Sequence, residues 1–305
     1  MIYVIGEALI DIIVDAKGTV LASVVGGAPL NTARTIARLE VPATFLGGIS
    51  TDAFGNRMMR LLAEDGVHYA LGTQVSEPTT LAIAELDQHG AATYRFVMDN
   101  TSAAAVTPAA ALAAVGPDCR AVHVGTLGLV LQSLADATKA VVEASPADRL
   151  VMIDPNCRPS VMKSSQTFTQ TLDAVLARAD IVKVSGDDLS FMMPNLQAQS
   201  AARELQRESG ALVLFTDGAN CVQVVTASET VVLEVPKVDV VDTVGAGDAF
   251  SGGFLAHWLG RGLGRGDLSD LAAVVEAATF GIKVAGITCQ RAGADPPLAH
   301  ELRSR

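Results

Sequence analysis

A glycine-rich turn followed by an aspartate is the most informative chemical feature of the sequence. It spans residues 241–250 and reads VDTVGAGDAF. Backbone amides at a helix start carry partial positive charge, so the amides of Ala246, Gly247 and Asp248, after the turn residue Gly245, are candidates for stabilising a transferred phosphoryl group. Asp248 is a candidate base that would accept a proton from an attacking hydroxyl. A glycine-rich helix start with an acidic first turn is also common without any ligand.

Three other strings place polar side chains in turns after apolar segments. In GGAPLN, Gly26 and Gly27 permit close passage of the backbone, and the amide of Asn31 has the donor and acceptor that a sugar hydroxyl requires. Asp11 closes the string GEALID at the expected ligand edge of a sheet. Arg158, in DPNCRP, has a planar guanidinium that suits phosphate. Taken singly, each string can also be an ordinary turn.

Taken together, the strings resemble the signatures of the ribokinase, or PfkB, family of carbohydrate kinases. DTVGAGDAF with a downstream GG resembles the C-terminal signature, GGAPLN resembles the N-terminal one, and the resemblance covers essentially the whole chain. It implies an ATP-dependent sugar kinase in which Asp248 is the base, next to the turn of Gly245, Ala246 and Gly247. The implied substrate contacts are Asp11, Gly26, Gly27, Asn31, Arg158 and Asp248.

The resemblance also implies a nucleotide site, with departures from the family pattern. TDGAN resembles the Thr-x-Gly-x-x-Gly turn beside ATP, with Asn220 near the place of the second glycine. Because asparagine tolerates a left-handed backbone, we expect this turn to form. KVSGDD aligns with the family's Asn-x-x-Glu motif, but serine and aspartate replace the two named residues. The implied ATP contacts are Lys183, Ser185, Thr216, Gly218, Gly245 and Gly247.

Two metal sites are implied by the same resemblance. Asp188 takes the place of the glutamate that helps to organise magnesium, and its shorter side chain could act through water. Asp242 and Val244 match positions beside a monovalent cation, potassium, with residues 287–294 supplying the C-terminal part of that site. ATP and Mg²⁺ are therefore the expected cofactors, with K⁺ as a hypothesis.

The elements that must position these residues alternate along the chain. Short apolar runs are each followed by a longer Ala/Leu-rich segment, and continuous apolar strands alternating with helices predict a parallel sheet covered on both faces. The predicted fold class is therefore α/β, with a doubly wound, mostly parallel sheet. The apolar runs are residues 3–5, 44–48, 121–124, 150–153, 181–184 and 212–215.

Two segments depart from this alternation and are predicted to form antiparallel hairpins. They are residues 12–24, which turn near 16–18, and residues 80–97, which turn at 87–90. The hairpins could pair into a small sheet that covers the site as a lid, or form an inert surface flap. The predicted division is a main domain of residues 1–11, 25–79 and 98–305 with a lid of residues 12–24 and 80–97.

Composition excludes several classes of function. The net charge of −11 includes no basic stripe, which argues against a nucleic-acid partner. About 18 consecutive apolar residues would be needed to span a bilayer, and no such uninterrupted run occurs, so we expect no membrane partner. The four cysteines are far apart and form no CxxC pair, as in a reduced cytoplasmic protein. The start of the chain lacks the pattern of a signal peptide.

Within the family, the strings look most like those of bacterial fructokinases, so fructose is the leading acceptor. 2-Keto-3-deoxygluconate and ribose stay open, because few pocket side chains decide the acceptor. A non-catalytic sugar sensor is an alternative of another class, although the intact GAGD string argues against it. A dinucleotide-dependent oxidoreductase would need GxGxxG after an early strand, which this chain lacks. We also expect a homodimer formed through the lid.

Overall fold

The computed structural model describes residues 1–88, 92–162 and 165–303. Short strands alternate with helices over most of this length, as the apolar runs predict. The strands are β1 (Ile2–Ile5), β2 (Leu9–Val14), β3 (Val20–Gly26), β4 (Ala43–Leu46), β5 (His68–Tyr69), β6 (Leu81–Leu86), β7 (Ala92–Val97), β8 (Ala121–Gly125), β9 (Leu150–Asp154), β10 (Ile181–Ser185), β11 (Leu212–Asp217), β12 (Cys221–Val225) and β13 (Thr230–Glu234).

Helices connect the strands and cover both faces of the larger sheet. They are α1 (Ala28–Arg38), α2 (Ala53–Asp65), α3 (Pro108–Ala114), α4 (Gln132–Glu143), α5 (Pro159–Met162), α6 (Gln166–Leu176), α7 (Gly186–Met192), α8 (Ala198–Ser209), α9 (Ala246–Gly260), α10 (Leu271–Thr288) and α11 (Ala299–Arg303). Short 3₁₀ turns lie at Ser102–Ala105, Thr126–Leu129 and Arg265–Ser269.

The larger sheet has nine strands in the described part of the chain, in the order β13-β12-β11-β10-β9-β8-β1-β4-β5. Neighbours from β11 to β5 pair in parallel, and β12 and β13 add an antiparallel edge. The α/β, doubly wound, mostly parallel sheet predicted from the sequence is thereby confirmed. The chain winds outward from β1 in both directions, and such a reversal opens a crevice at the carboxyl ends of the strands.

The central strands of the sheet contribute to two hydrophobic clusters, because their side chains alternate between the two faces. In β10, for example, Ile181 packs with the cluster under α1, α9 and α10, whereas Val182 packs with the cluster under α4, α6 and α8. The first cluster contains Phe254 and Trp258, whose stacked rings lie 5.9 Å apart. α9 is thus anchored in the hydrophobic cluster on this face of the sheet.

Two glycines allow α9 to pack closely between its neighbouring helices. A Cβ atom on Gly252 would lie 2.6 Å from Thr35 Cβ in α1, and one on Gly253 would lie 3.0 Å from Val284 in α10. Backbone-to-side-chain packing this close leaves α9 little freedom to shift. The first turn of α9, which carries Asp248, is consequently held against α1.

The smaller sheet has the order β3-β2-β6-β7. The β2–β3 and β6–β7 hairpins join through parallel pairing of β2 with β6, in which Ile10 is opposite Leu81. This is the pairing that the sequence left open. β2 begins at Leu9 and β3 ends at Gly26, so Asp11 lies inside the small sheet instead of the main domain. Of the turn predicted at 87–90, residues 89 and 90 lie outside the described residues.

α10 is long and apolar enough, by length and composition alone, to cross a membrane. No other described helix meets that test. α10 contains Glu276 and Lys283 and packs beside α9, with 44% of its span buried inside the fold. A core helix passes the same test, so this helix is weak evidence for a membrane segment.

Candidate active site

The two strings that resemble family signatures meet in space. The side-chain amide of Asn31, in α1, donates a hydrogen bond from Nδ2 to Asp248 Oδ2 at 2.9 Å, across 217 positions of sequence. Thr32 Oγ1 donates to the backbone carbonyl of Asp248 at 3.4 Å. Both Asn31 and Asp248 are buried. The predicted base is therefore oriented by the predicted sugar-binding amide.

Asp248 is ionisable in a range that suits a base. Burial raises the pKa of Asp248 to about 6, the hydrogen bond from Asn31 and the charges of Lys183 and Arg158 lower it, and the charge of Asp154 raises it. At neutral pH most of the molecules therefore hold a carboxylate at this position. A carboxylate can accept a proton, whereas the acid form cannot.

The turn before α9 is shaped by a glycine in a left-handed conformation. Gly245 has φ 76° and ψ 2° and precedes the first helical residue, Ala246. A Cβ atom at Gly245 would lie 2.5 Å from the Cβ of Ala294, so both the backbone and the space require glycine. The Ala246 amide donates to the Thr243 carbonyl at 3.2 Å, which leaves the amides of Gly247 and Asp248 for an anion, as expected of an anion-binding helix start.

Asp242 ties this turn to the C-terminal segment. Its Oδ1 accepts a hydrogen bond from the Val244 amide at 3.0 Å, and its Oδ2 accepts one from the Gly293 amide at 2.8 Å. The amides of Val241 and Asp242 both donate to the carbonyl of Cys289. The structure therefore brings the predicted cation residues, Asp242 and Val244, next to the predicted C-terminal piece. The side chain of Val244 is exposed.

Lys183 lies beneath the same turn. Its Nζ donates to Asp154 Oδ2 at 2.9 Å, and both side chains are only 5% exposed. A Cβ atom on Gly247 would lie 2.9 Å from Lys183 Nζ, so the ammonium is adjacent to the start of α9. Burial lowers the pKa of Lys183, but the charges of Asp154, Asp188 and Asp248 outweigh burial and raise it. Lys183 therefore keeps its positive charge at neutral pH.

Gly26 and Gly27 make room for neighbouring groups. A Cβ atom on Gly26 would lie 2.0 Å from Asp11 Oδ2, and one on Gly27, which has φ 109°, would lie 2.5 Å from the Glu7 carbonyl. Burial raises the pKa of Asp11 to about 6. The two glycines thus let Asp11 approach the junction between β3 and α1. The sequence had indicated only that the backbone could pass close to a ligand at this point.

Glu7 is a buried carboxyl group that the sequence analysis did not assign. It is 1% exposed, and its Oε2 accepts a hydrogen bond from the Leu127 amide at 3.1 Å. Burial raises the pKa of Glu7 to about 8, with a further small contribution from the charge of Asp248. A glutamate after a strand is usually solvated, so nothing local in the sequence marks this one as neutral.

The substitution Glu7→Gln is expected to flatten the dependence of stability on pH. The pKa of Glu7 in the folded protein, about 8, lies above its ordinary value of 4.5. The stabilisation that comes from this shift is therefore complete below about pH 4.5 and is lost as the pH rises through about 8. Glutamine cannot release that proton. The wild-type free energy of unfolding should fall by roughly 1–3 kcal/mol more than that of the variant between pH 6 and 8.

Urea unfolding at several pH values measures this difference. Glu143→Gln is the matched control, because Glu143 is exposed and should not alter the profile. Parallel profiles for the wild type and Glu7→Gln would contradict a neutral Glu7.

Arg158 lies near the site but bonds to its own loop. Its Nη1 donates to Asn156 Oδ1 at 2.8 Å and to the carbonyls of Asn156 and Cys157. Asn156 adopts φ 41°, which shapes this tight loop. The positive charge of Arg158 nonetheless lowers the pKa of Asp11, Glu7 and Asp248. Arg158 thus contributes charge to the site without a direct bond to the base.

The predicted nucleotide turn forms at the end of β11. Thr216 Oγ1 donates to the Val184 carbonyl at 3.3 Å, and Gly218 takes the left-handed conformation with φ 52°. Asn220 is not among the described residues with positive φ, and its Nδ2 instead donates to Asp217 Oδ2 at 3.1 Å. The asparagine therefore supports the turn through its side chain instead of through a left-handed backbone.

Asp188 and Ser185 form a capping box at the start of α7. Asp188 Oδ2 accepts bonds from the amide and hydroxyl of Ser185 at 2.8 and 2.7 Å, and its Oδ1 accepts from the Cys157 amide at 2.6 Å. These three bonds use most of the acceptor sites of the carboxylate, which favours contact with magnesium through water. Within the described ranges, no group of three or more His, Cys, Asp or Glu side chains could hold a metal.

Comparison with known proteins gives consistent matches. The sequence profile of the pfkB family of carbohydrate kinases matches residues 1–301. A fructokinase of Rhizobium leguminosarum bv. trifolii is 33% identical over 261 residues, which cover 84% of this chain and 79% of that protein. A fructokinase of Klebsiella pneumoniae is 32% identical over 272 residues, which cover 86% and 85%.

Solved structures share the fold over nearly the whole chain. The fructokinase of Xylella fastidiosa with bound ATP has a TM-score of 0.84 at 24% identity and covers 100% of this chain and 99% of that one. A double mutant of the Vibrio cholerae O395 fructokinase, solved with fructose, ADP and potassium, has a TM-score of 0.79 at 24% identity, with coverage of 96% and 93%. At these identities the likeness establishes the fold.

Proposed function

Because the chain belongs to the pfkB family of carbohydrate kinases, we propose that it uses ATP to phosphorylate D-fructose. The observation that carries the proposal is the bond between Asn31 and Asp248, which joins the amide proposed to bind the sugar to the buried carboxylate proposed as the base. The fructokinases at 33% and 32% identity support fructose as the acceptor. 2-Keto-3-deoxygluconate and ribose are the alternative acceptors.

Proton transfer follows from the geometry of Asp248. Asn31 bonds to Oδ2, and no described residue donates to Oδ1, which is left for an acceptor hydroxyl. As the oxygen of that hydroxyl attacks the γ-phosphorus of ATP, its proton passes to Asp248, and ADP leaves with the bond to the γ-phosphorus broken. Asp248 requires no covalent intermediate for this step.

Charge that develops on the transferred group is stabilised by the start of α9. The amides of Ala246, Gly247 and Asp248 carry the positive end of the helix dipole, and the Lys183 ammonium lies directly under Gly247. These donors are fixed before substrate arrives, by the left-handed Gly245 and the ion pair with Asp154. We assign Gly26, Gly27 and Asp11 to the sugar, and Ser185, Thr216 and Gly218 to the nucleotide.

Magnesium and potassium complete the proposed site. Magnesium bound with ATP supplies charge neutralisation on the phosphates, and Asp188 would contact it through water. Potassium would be held near Asp242 and Val244, and the contacts of Asp242 with Gly293 support the expected participation of the C-terminal segment. Related structures hold ATP, or ADP with potassium or calcium.

The small sheet is proposed to act as a lid and a dimer surface. Asp11 lies on its strand β2, so movement of the sheet would carry a substrate contact toward the site. Large apolar side chains on β3 and β7 are exposed, which supports pairing with a second copy. They are Val20, Leu21, Val24, Tyr94 and Val97. The four free cysteines support a cytoplasmic location.

A coupled assay of ADP release tests the function. Purified protein with MgATP is offered fructose, 2-keto-3-deoxygluconate, ribose and glucose, with and without potassium. We expect the highest kcat/KM with fructose and a lower rate without potassium. A higher kcat/KM with another sugar would overturn the acceptor, and ATP binding without sugar-dependent release would favour a sugar sensor.

A further inference from the structure

A cavity lies at the amino ends of the strands of the main sheet, at the opposite end from Asp248. Its volume is about 1100 Å³, and it is lined by residues at the amino ends of β8 to β11 and by the segment after α9. The catalytic residues lie at the carboxyl ends of the same strands, roughly 15 Å away for strands of this length. We call this space the basal cavity. Its charged lining residues are Arg120, Asp148, Arg149, Arg178, Asp180 and Arg265.

One buried carboxylate fixes two of the four guanidiniums. Asp180 Oδ2 accepts hydrogen bonds from Arg178 Nη1 at 2.9 Å and from the Val151 amide at 2.8 Å. Its Oδ1 accepts one from Arg265 Nε at 2.6 Å. The Asp180 side chain is 6% exposed, so this arrangement is set by the fold and not by solvent. A single negative charge is thus shared between two cations.

The other two guanidiniums have no carboxylate partner among the described residues. Arg120 Nη2 donates to the carbonyls of Gly262 and Leu263, both at 3.0 Å. Arg149 Nε donates to the Cys119 carbonyl at 3.0 Å. Carbonyl groups orient these side chains but do not neutralise them.

The charge balance of the lining is therefore positive. A structural ion-pair network would match cations with carboxylates, yet four guanidiniums here face two carboxylates, in a chain with a net charge of −11. Neighbouring guanidiniums repel one another, so without a counter-ion they would be more stable farther apart. This excess of cations in the lining favours the binding of an anion in the cavity.

We propose that the basal cavity binds a phosphate-bearing small molecule. Guanidinium groups bind phosphate oxygens through pairs of charge-assisted bonds, and ligand cavities commonly have volumes of several hundred Å³. Arg120 and Arg149 supply the unpaired charge, while Asp180 holds Arg178 and Arg265 in place beside them. The site does not depend on which sugar is phosphorylated at the other edge of the sheet.

Trp258, the single tryptophan of the chain, is a built-in reporter for this cavity. Its Nε1 donates to the carbonyl of Gly264 at 3.2 Å, and Gly264 lines the cavity. Trp258 is fully buried in α9, whose first turn carries Asp248. Anion binding near Gly264 should change this bond and hence the fluorescence of the indole.

The experiment titrates tryptophan fluorescence with inorganic pyrophosphate at constant ionic strength, without magnesium and with the catalytic site saturated by ADP. A parallel titration with fructose 1,6-bisphosphate distinguishes an organic phosphate ester from inorganic phosphate as the source. We expect saturable binding by the wild type. The double variant Arg120→Gln/Arg149→Gln should raise the Kd about tenfold or more, because it removes two charge-assisted contacts.

Arg203→Gln is the matched control, because Arg203 is exposed on α8 and does not line the cavity. It should leave the Kd unchanged, and all variants should keep the wild-type response to ADP. If the double variant does not fold, each single substitution should still raise the Kd about threefold or more. No saturable signal with either probe, or an equal Kd in the wild type and the variants of Arg120 and Arg149, would overturn the proposal. An equal loss in Arg203→Gln would overturn it too.

Discussion

Replacing Asp248 by asparagine is expected to lower kcat about 100- to 10,000-fold, because the base is lost. Asparagine has nearly the same shape, and its carbonyl oxygen can still accept the bond from Asn31 Nδ2. The fold and the affinity for ATP should therefore change little. Steady-state kinetics with MgATP and fructose measure kcat and KM, and thermal unfolding measures stability.

The pH profile separates loss of the base from a structural defect. The pKa of Asp248 is about 6, so wild-type kcat should fall as the pH drops through that value, since protonation removes the base. The residual activity of Asp248→Asn should lack this acid limb. Asp173→Asn, on an exposed position of α6, should behave as the wild type. An unchanged kcat in Asp248→Asn would exclude Asp248 as the base.

Replacing Lys183 by methionine is expected to lower both stability and activity. Asp154, 3% exposed, would lose its cation, and breaking a buried ion pair in this way costs about 3–5 kcal/mol. The positive charge under Gly247 would also be lost, which should lower kcat by about 100- to 1000-fold. Urea unfolding and steady-state kinetics measure the two effects.

The double variant Lys183→Met/Asp154→Asn separates these effects. Removing both charges should recover most of the free energy of unfolding, because no uncompensated carboxylate is then buried. The kcat should stay low, since the ammonium near the start of α9 is still missing. Lys237→Met is the control at an exposed lysine. Recovery of kcat in the double variant would mean that Lys183 acts only by neutralising Asp154 and not on the transferred phosphoryl group.

Local patterns predicted the main sheet well. The apolar runs at 121–124, 150–153, 181–184 and 212–215 correspond to β8, β9, β10 and β11, because strands buried on both faces are continuously apolar. The start of α9 was also predictable. Gly245 takes the left-handed conformation, which glycine adopts readily, and Ala246 begins the helix.

Pairing between distant segments was not predictable from such patterns. Parallel pairing of β2 with β6 joins the two hairpins into one sheet. Pairing of Leu9 with Gly26 of β3 extends β2 back to Leu9. Each hairpin by itself also fits a surface flap. The energy that decides between these arrangements comes from contacts between segments that are far apart in sequence.

The sequence by itself determined the fold class, the glycine-rich turn proposed to bind phosphate and the identity of Asp248 as the candidate base, because these depend on local periodicity and on one short string. The tertiary structure alone decided the state of the side chains around that base. It brought Asn31 into hydrogen-bond contact with Asp248, paired Lys183 with Asp154, engaged Asp188 in a capping box and raised the pKa of Glu7 by burial. The physical reason is that burial and charge set these properties, and both arise from residues that only folding brings together.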